Sequence, residues 1–358
     1  MPQLVTKVRS SNLELYRVIV MLLIVAHHYV VNSGLMDVMS EQPLSGKSLF
    51  LYILGMWGKT GINCFVLITG YFMCKSKITC RKFLKLLLEI EFYKIVIYLV
   101  FVLSGYESLS LKGLFKAIVP VYLIEHNFAS CFLMFYLCIP FLNILINNLL
   151  KRQHQLLIYL LLFIYTFLGT IPKFHVTMNY VSWFCVIYFI SSYISKYGLF
   201  PSITHRKWGI LMLISIFVSI LSVVALLAFP VLLHTTYLYP YFFVADSNVF
   251  LALSTAICSF MYFKDLNIRN NSFINMLGAS TFGVLLIHAN SDTMRQWLWK
   301  DVLDNVKYYS SDYLVVHALL SVIMIFIVCI LIDYARIHFV ENRTFRYIDK
   351  VLVKYHID

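Results

Sequence analysis

Arg17 and His28 stand eleven residues apart within an otherwise apolar run, ELYRVIVMLLIVAHHYVV, residues 14–31. On an α-helix that interval is about three turns, roughly 16 Å of rise, with a rotation only about 20° away from the same face. The cation and the imidazole therefore share one stripe of one helix, one near each end, while His27 points about 100° aside. An imidazole near its ordinary pKa of about 6.5 can take the proton of a hydroxyl as that oxygen attacks a thioester carbonyl. A guanidinium on the same stripe can hold donor phosphate or offset developing negative charge. The bland alternatives are a histidine packed at an interface and an arginine that snorkels to headgroups.

Company weighs against the bland reading. His288 lies near the end of NMLGASTFGVLLIHANSD, and Glu125 and His126 open the apolar stretch PVYLIEHNFASCF. Arg81, Lys82 and Lys85 gather with Arg17 at the opposite side, where a basic patch suits the phosphates of a coenzyme A donor. Glu125 is either the polar end of a helix or a carboxylate that orients His28 or His288. Gly61 and Gly70 in GINCFVLITGYFMCKSK read as sites of close helix approach, and the aromatic cluster at 231–246 as an interfacial belt.

The elements that must carry these groups are membrane spans. With 61% hydrophobic residues, 13% charged and a mean hydropathy of +0.80, the chain of 358 residues has too much apolar surface for a water-soluble domain. Windows long enough to cross roughly 30 Å of hydrocarbon fall at 14–32, 50–73, 86–105, 123–147, 155–171, 179–197, 209–229, 241–263, 273–290 and 312–335. The weakest are the third, which carries Glu89, Glu91 and Lys94, and the short fifth. If the N-terminus is inside, 19 of the 29 lysines and arginines fall in inner connections and seven in outer ones, with Arg17, Lys59 and Lys94 in or at the edges of spans. The expectation is an all-α polytopic protein of residues 1–358, a single bundle of about ten transmembrane helices with both termini inside, in the plasma or inner cell membrane. The first apolar run is expected to be retained as a span.

The net charge of +12 is explained by this topology without nucleic acid. Eight cysteines without a CxxC pair argue against a disulfide framework or a thiolate metal site. No metal and no tightly bound cofactor are expected.

In spacing and order these residues resemble the integral-membrane acyltransferase 3 family, which O-acylates carbohydrates and related acceptors. Its first-span pattern of an acidic residue, an arginine, ten residues and a histidine is met by Glu14, Arg17 and His28. NCFVLITGY, residues 63–71, is similar to the close of its second span. Lys82 and Lys85, preceded by Arg81, stand where a basic pair is usual. CFLMFYLCIP, residues 131–140, has Cys131 in place of a tryptophan, and FGVLLIH, residues 282–288, has Phe282 and Leu285 in place of tyrosines. The resemblance implies ten spans, a catalytic His28 and a required Arg17.

The expected activity is transfer of a short acyl group, acetyl foremost, from cytoplasmic acyl-CoA (acetyl-CoA as donor substrate) to a hydroxyl of a cell-surface or lipid-linked saccharide outside. The rivals are a transporter or flippase for lipid-linked saccharides and a non-catalytic scaffold of polysaccharide assembly. Paired half-length or broken spans in matching halves, the mark of many transporters, are not evident in the sequence.

Overall fold

The computed structural model describes residues 9–121, 127–171, 174, 176, 178–233 and 238–355. Among the described residues ten longer helical rods follow one another, with short helices at Leu35–Glu41, Leu111–Ile118, Asp292–Gln296 and Asn305–Tyr309 between them. The rods are α1 (Ser11–Val31), α2 (Gly46–Met73, interrupted at Met56 and Trp57), α3 (Cys80–Leu103), α4 (Phe128–Asn148) and α5 (Lys151–Leu162, continued by a π-helical turn). The others are α6 (Tyr180–Tyr197), α7 (His205–Leu233), α8 (Phe250–Lys264), α9 (Ser272–His288, interrupted at Ser280) and α10 (Leu314–Arg336). A strongly amphipathic helix, α11 (Asn342–Lys354), follows a π-helical turn. No strand occurs among the described residues.

Local sequence sets where several rods begin. Thr79, Asn127, Asn179 and Asn271 each sit in extended backbone and accept a hydrogen bond from an amide in the first turn of α3, α4, α6 and α9. Gly198, at φ 72°, stops α6 in a conformation that costs a residue without Cβ little.

Contacts along the rods fix their directions. The end where α1 begins is termed lower, the end where it finishes upper. Ser11 meets Asn275 at the lower end and His28 meets His288 at the upper, so α9 runs alongside α1 in the same sense. Tyr29 bonds His317 above, and Arg336 bonds Glu89 below, so α10 descends. Lys59 reaches Tyr180 above and Ser195 reaches the Tyr71 carbonyl below, which makes α2 and α6 descend together.

Each of the ten apolar windows overlaps one rod, although 241–249 lie ahead of α8 and 123–126 fall outside the described residues. Five stretches are long and apolar enough to cross a membrane by length and composition: Ser11–Val31, Gly46–Met73, Phe128–Asn148, His205–Leu233 and Leu314–Lys354. A sixth qualifies if α9 and Asp292–Val302, set at 92° to it, count as one broken span. The remainder are too short, or, like α6 with its serines and tyrosines, not apolar enough, or, like α3 with Arg81, Lys82, Lys85, Glu89, Glu91 and Lys94, too charged.

The rods sort by how much surface they hide. The apolar window of α2 is 72% buried and that of α7 only 17%, so α2 with α1 forms the centre and α7 the rim. Leu213, Phe217, Leu221 on α7 and Leu320, Met324, Leu331 on α10 are exposed, an apolar outer surface that suits lipid tails. Glycines let the central rods touch. A Cβ on Gly61 would lie 2.7 Å from Ile24 Cγ1, and one on Gly70 3.0 Å from the Tyr188 ring, so the packing reading of both glycines holds.

A Cβ on Gly278 would lie 2.7 Å from Glu14 Cβ and 3.1 Å from its Cα. Gly278→Val is therefore expected to push α9 off α1 and cost about 1–3 kcal/mol, read as a lowered thermal midpoint in detergent. An unchanged midpoint would mean that the two helices can part freely there.

One charged network is buried in the lower half. Arg336 donates to Asp333 (2.9 Å), Glu89 (3.1 Å) and Glu341 (2.9 Å), Tyr93 donates to Asp333 (2.8 Å), and Lys85 pairs with Glu341 (2.5 Å). Here Glu89, a reason to doubt the third span in the sequence, finds its partner on α10.

Candidate active site

The upper end of α1 delivers His27 and His28 into the bundle, and α9 ends there in His288. His288 is fully buried, and its Nδ1 lies 2.6 Å from the Val284 carbonyl one turn earlier. A carbonyl only accepts, so that nitrogen carries the proton, and with the ring neutral Nε2 is left as an acceptor. His28 Nδ1 lies 3.0 Å from this Nε2, so it is the donor. The tautomer of His28 is thereby assigned: Nδ1–H is held by His288, and Nε2 keeps a lone pair. No described group bonds to that lone pair.

His28 lines a cavity of about 170 Å³, whose walls come from α1, α2, α3, α4, α6 and α9. The volume holds several waters or a small polar group, a liquid water occupying about 30 Å³. A second cavity of about 440 Å³ adjoins it, sharing Lys94, Asn127, Asn290 and Arg295 as walls and reaching Glu107, Lys116 and Thr293 beyond the upper end. The 92° turn after His288 is what brings Asn290 and Arg295 over the opening.

His27 joins the same wall. Its Nδ1 lies 2.5 Å from the Gly55 carbonyl, and its ring rests against Gly58, where a Cβ would be 2.7 Å from Nε2. By the same reasoning His27 Nε2 also keeps its lone pair. The two rings, 5.5 Å apart, face a common space.

The arrangement can do acid–base chemistry. His28 Nε2 can take a hydroxyl proton, and the resulting imidazolium keeps its Nδ1–H bond to His288, which is anchored in turn by Val284. This is the division of labour between base and orienting partner seen in hydrolytic triads.

The other residues expected from sequence are placed as follows. Arg17 lies about 16 Å below His28 along α1, paired with Glu14 at 3.1 Å, and lines neither cavity. Arg9 also reaches Glu14 at 3.3 Å. Arg81 holds Asp349 through two hydrogen bonds of 2.6 and 3.2 Å, Lys85 holds Glu341, and Lys82 donates to the Lys77 carbonyl at 2.6 Å. These three cations are at the lower end and are not brought to His28. Glu125 and His126 lie outside the described residues.

Sequence reasoning passed over Lys59, Lys94 and Arg295, all three of which line the cavity. The available signal was the cost of a lysine inside an apolar span, which demands a partner or a polar cavity. The departures in the late motif also find places: Phe282 packs against Phe132 at 5.6 Å between ring centres, and Leu285 lines the cavity.

The model of the family described as an acyltransferase domain matches residues 10–334, from the start of α1 almost to the end of α10. Searches of curated proteins and of solved structures return no match. A match spanning nearly the whole bundle, together with an acid, an arginine and a cavity-lining histidine spaced on α1 as that family spaces them, means that the chain belongs to the acyltransferase 3 family.

Proposed function

We propose that the protein is an O-acyltransferase that moves a short acyl group, acetyl foremost, from cytoplasmic acyl-CoA to a hydroxyl of a cell-surface or lipid-linked saccharide. The observation that carries this reading is His28, held by His288 in the tautomer that offers Nε2 to a cavity. The acceptor O–H gives its proton to Nε2, its oxygen forms the new ester bond at the thioester carbonyl, and the coenzyme A thiolate leaves, taking the proton from His28.

The membrane layout in this reading has ten crossings with both termini inside. The alternating rods, the basic lower end and the apolar rims of α7 and α10 support it. Arg17, below His28 on the same stripe of α1, is the group proposed to hold donor phosphate or to balance charge from the inner side, with Arg81, Lys82 and Lys85 as proposed donor contacts.

Surface and lipid-linked glycans from cells with and without the protein, compared by intact mass and proton spectra, test the reading. An added acyl mass that disappears with the protein is expected. A glycan of unchanged mass that accumulates on one side of the membrane would replace the reading with transport.

A further inference from the structure

Three cations face the cavity beside His28: Lys59 from α2, Lys94 from α3 and Arg295 from the segment after α9. Among the described residues its walls include no carboxylate. Among the described residues neither lysine has an acidic partner. Lys59 donates to the Tyr180 hydroxyl, with the same ring 5.1 Å from its ammonium, and Lys94 donates to the Val119 carbonyl. Glu91, one turn before Lys94, does not come within ion-pair distance. Arg295 pairs with Asp292, whose side chain is 98% exposed, an arrangement that neutralises little.

A half-buried cation in a membrane bundle is costly unless it meets a counter-charge or a wet cavity. Lys59 meets only the Tyr180 hydroxyl and the cavity, and Lys94 meets the Val119 carbonyl and the cavity, with Glu91 acting on it only through its field from beyond ion-pair distance. The positive potential of three such groups within one concave wall concentrates anions there. We propose that this cavity is an anion-binding subsite for the acceptor: a carboxylate or phosphate on the saccharide is held by Lys59, Lys94 and Arg295 while a nearby hydroxyl faces His28. The inference rests on the acyl-transfer reading above and adds the class of acceptor, an acidic or phosphorylated sugar.

Two observations favour the acceptor over the donor as source of the anion. The cavity continues into the larger one at the upper end, the end opposite Arg17, Arg81 and Lys85. Around the cations stand Asn127, Asn290 and Tyr180, neutral groups suited to sugar hydroxyls.

The test uses the full-length protein in nanodiscs, with glucuronate, glucose 1-phosphate, glucose and acetyl-CoA as probes in equilibrium titrations. The wild type is expected to bind the two anionic sugars about tenfold or more better than glucose. The Lys59→Gln/Lys94→Gln variant is expected to bring the three sugars close to parity with acetyl-CoA affinity unchanged, and Lys59→Arg/Lys94→Arg to restore the preference. Absence of an anion-dependent preference in the wild type overturns the proposal, whether or not the variants fold. So does a loss confined to acetyl-CoA, which would place donor phosphates at the lysines. His28→Gln keeps the two readings apart: anion preference retained in a protein in which wild type and variant alike transfer no acyl group would leave the subsite standing and remove the transferase chemistry.

Discussion

Replacing His28 with glutamine is expected to reduce acyl transfer by about 10²–10⁴-fold, the range that a positioned acid–base group supplies, with the amount of folded protein unchanged. Glutamine can still donate an N–H to His288 and fill most of the volume, so packing is spared, but it has no basic nitrogen for the acceptor proton. His288 provides the companion measurement. His288→Gln retains an oxygen able to accept from His28 Nδ1–H, whereas His288→Leu leaves the imidazole unheld and free to rotate or change tautomer. A loss on the order of 100-fold, typical of a misplaced reacting group, is expected for leucine and a smaller one for glutamine. The double change His28→Gln/His288→Leu should be hardly worse than His28→Gln alone, since the partner acts through the base. Turnover in His28→Gln membranes close to wild type, at equal protein level, would sink the assignment of the base.

Arg336→Ala is expected to destabilise the bundle by about 3–5 kcal/mol, the range found when one member of a buried ion pair is removed. The guanidinium contacts Asp333, Glu89 and Glu341 together, and Asp333 and Arg336 are almost completely buried. Three carboxylates face only Arg336 and Lys85, so losing the arginine strands them beside a single lysine. Relative to a typical total stability of about 5–15 kcal/mol, the loss should appear as poor yield and a sharply lowered thermal midpoint. Arg336→Lys keeps the charge without the planar fork and is expected to fall between. An Arg336→Ala protein melting with the wild type would show that water or rearrangement supplies the missing charge.

The helices were legible because long apolar stretches leave little choice of partner other than lipid or one another, and Asn127, Asn179, Asn271 and Thr79 mark their starts in the sequence. The shared stripe of Arg17 and His28 was legible for the same reason, being a matter of helical arithmetic. The contact between His28 and His288 was not, because 260 residues separate them and nothing local encodes which ring nitrogen meets which. Lys59 and Lys94 were counted in the sequence as exceptions to a charge rule, although their exceptional position was itself the clue. The carboxylates that meet Arg81 and Lys85 were likewise hidden, since they belong to α11 and the turn before it.

Those last pairings make the lower basic run an ion exchanger rather than an open anion trap. A polyphosphate that reaches Arg81 or Lys85 competes there with Asp349 or Glu341, which lowers its net attraction. Docking of a donor at that end would thus be coupled to release of the chain's last helix, and added salt would weaken the resident and the incoming partner alike.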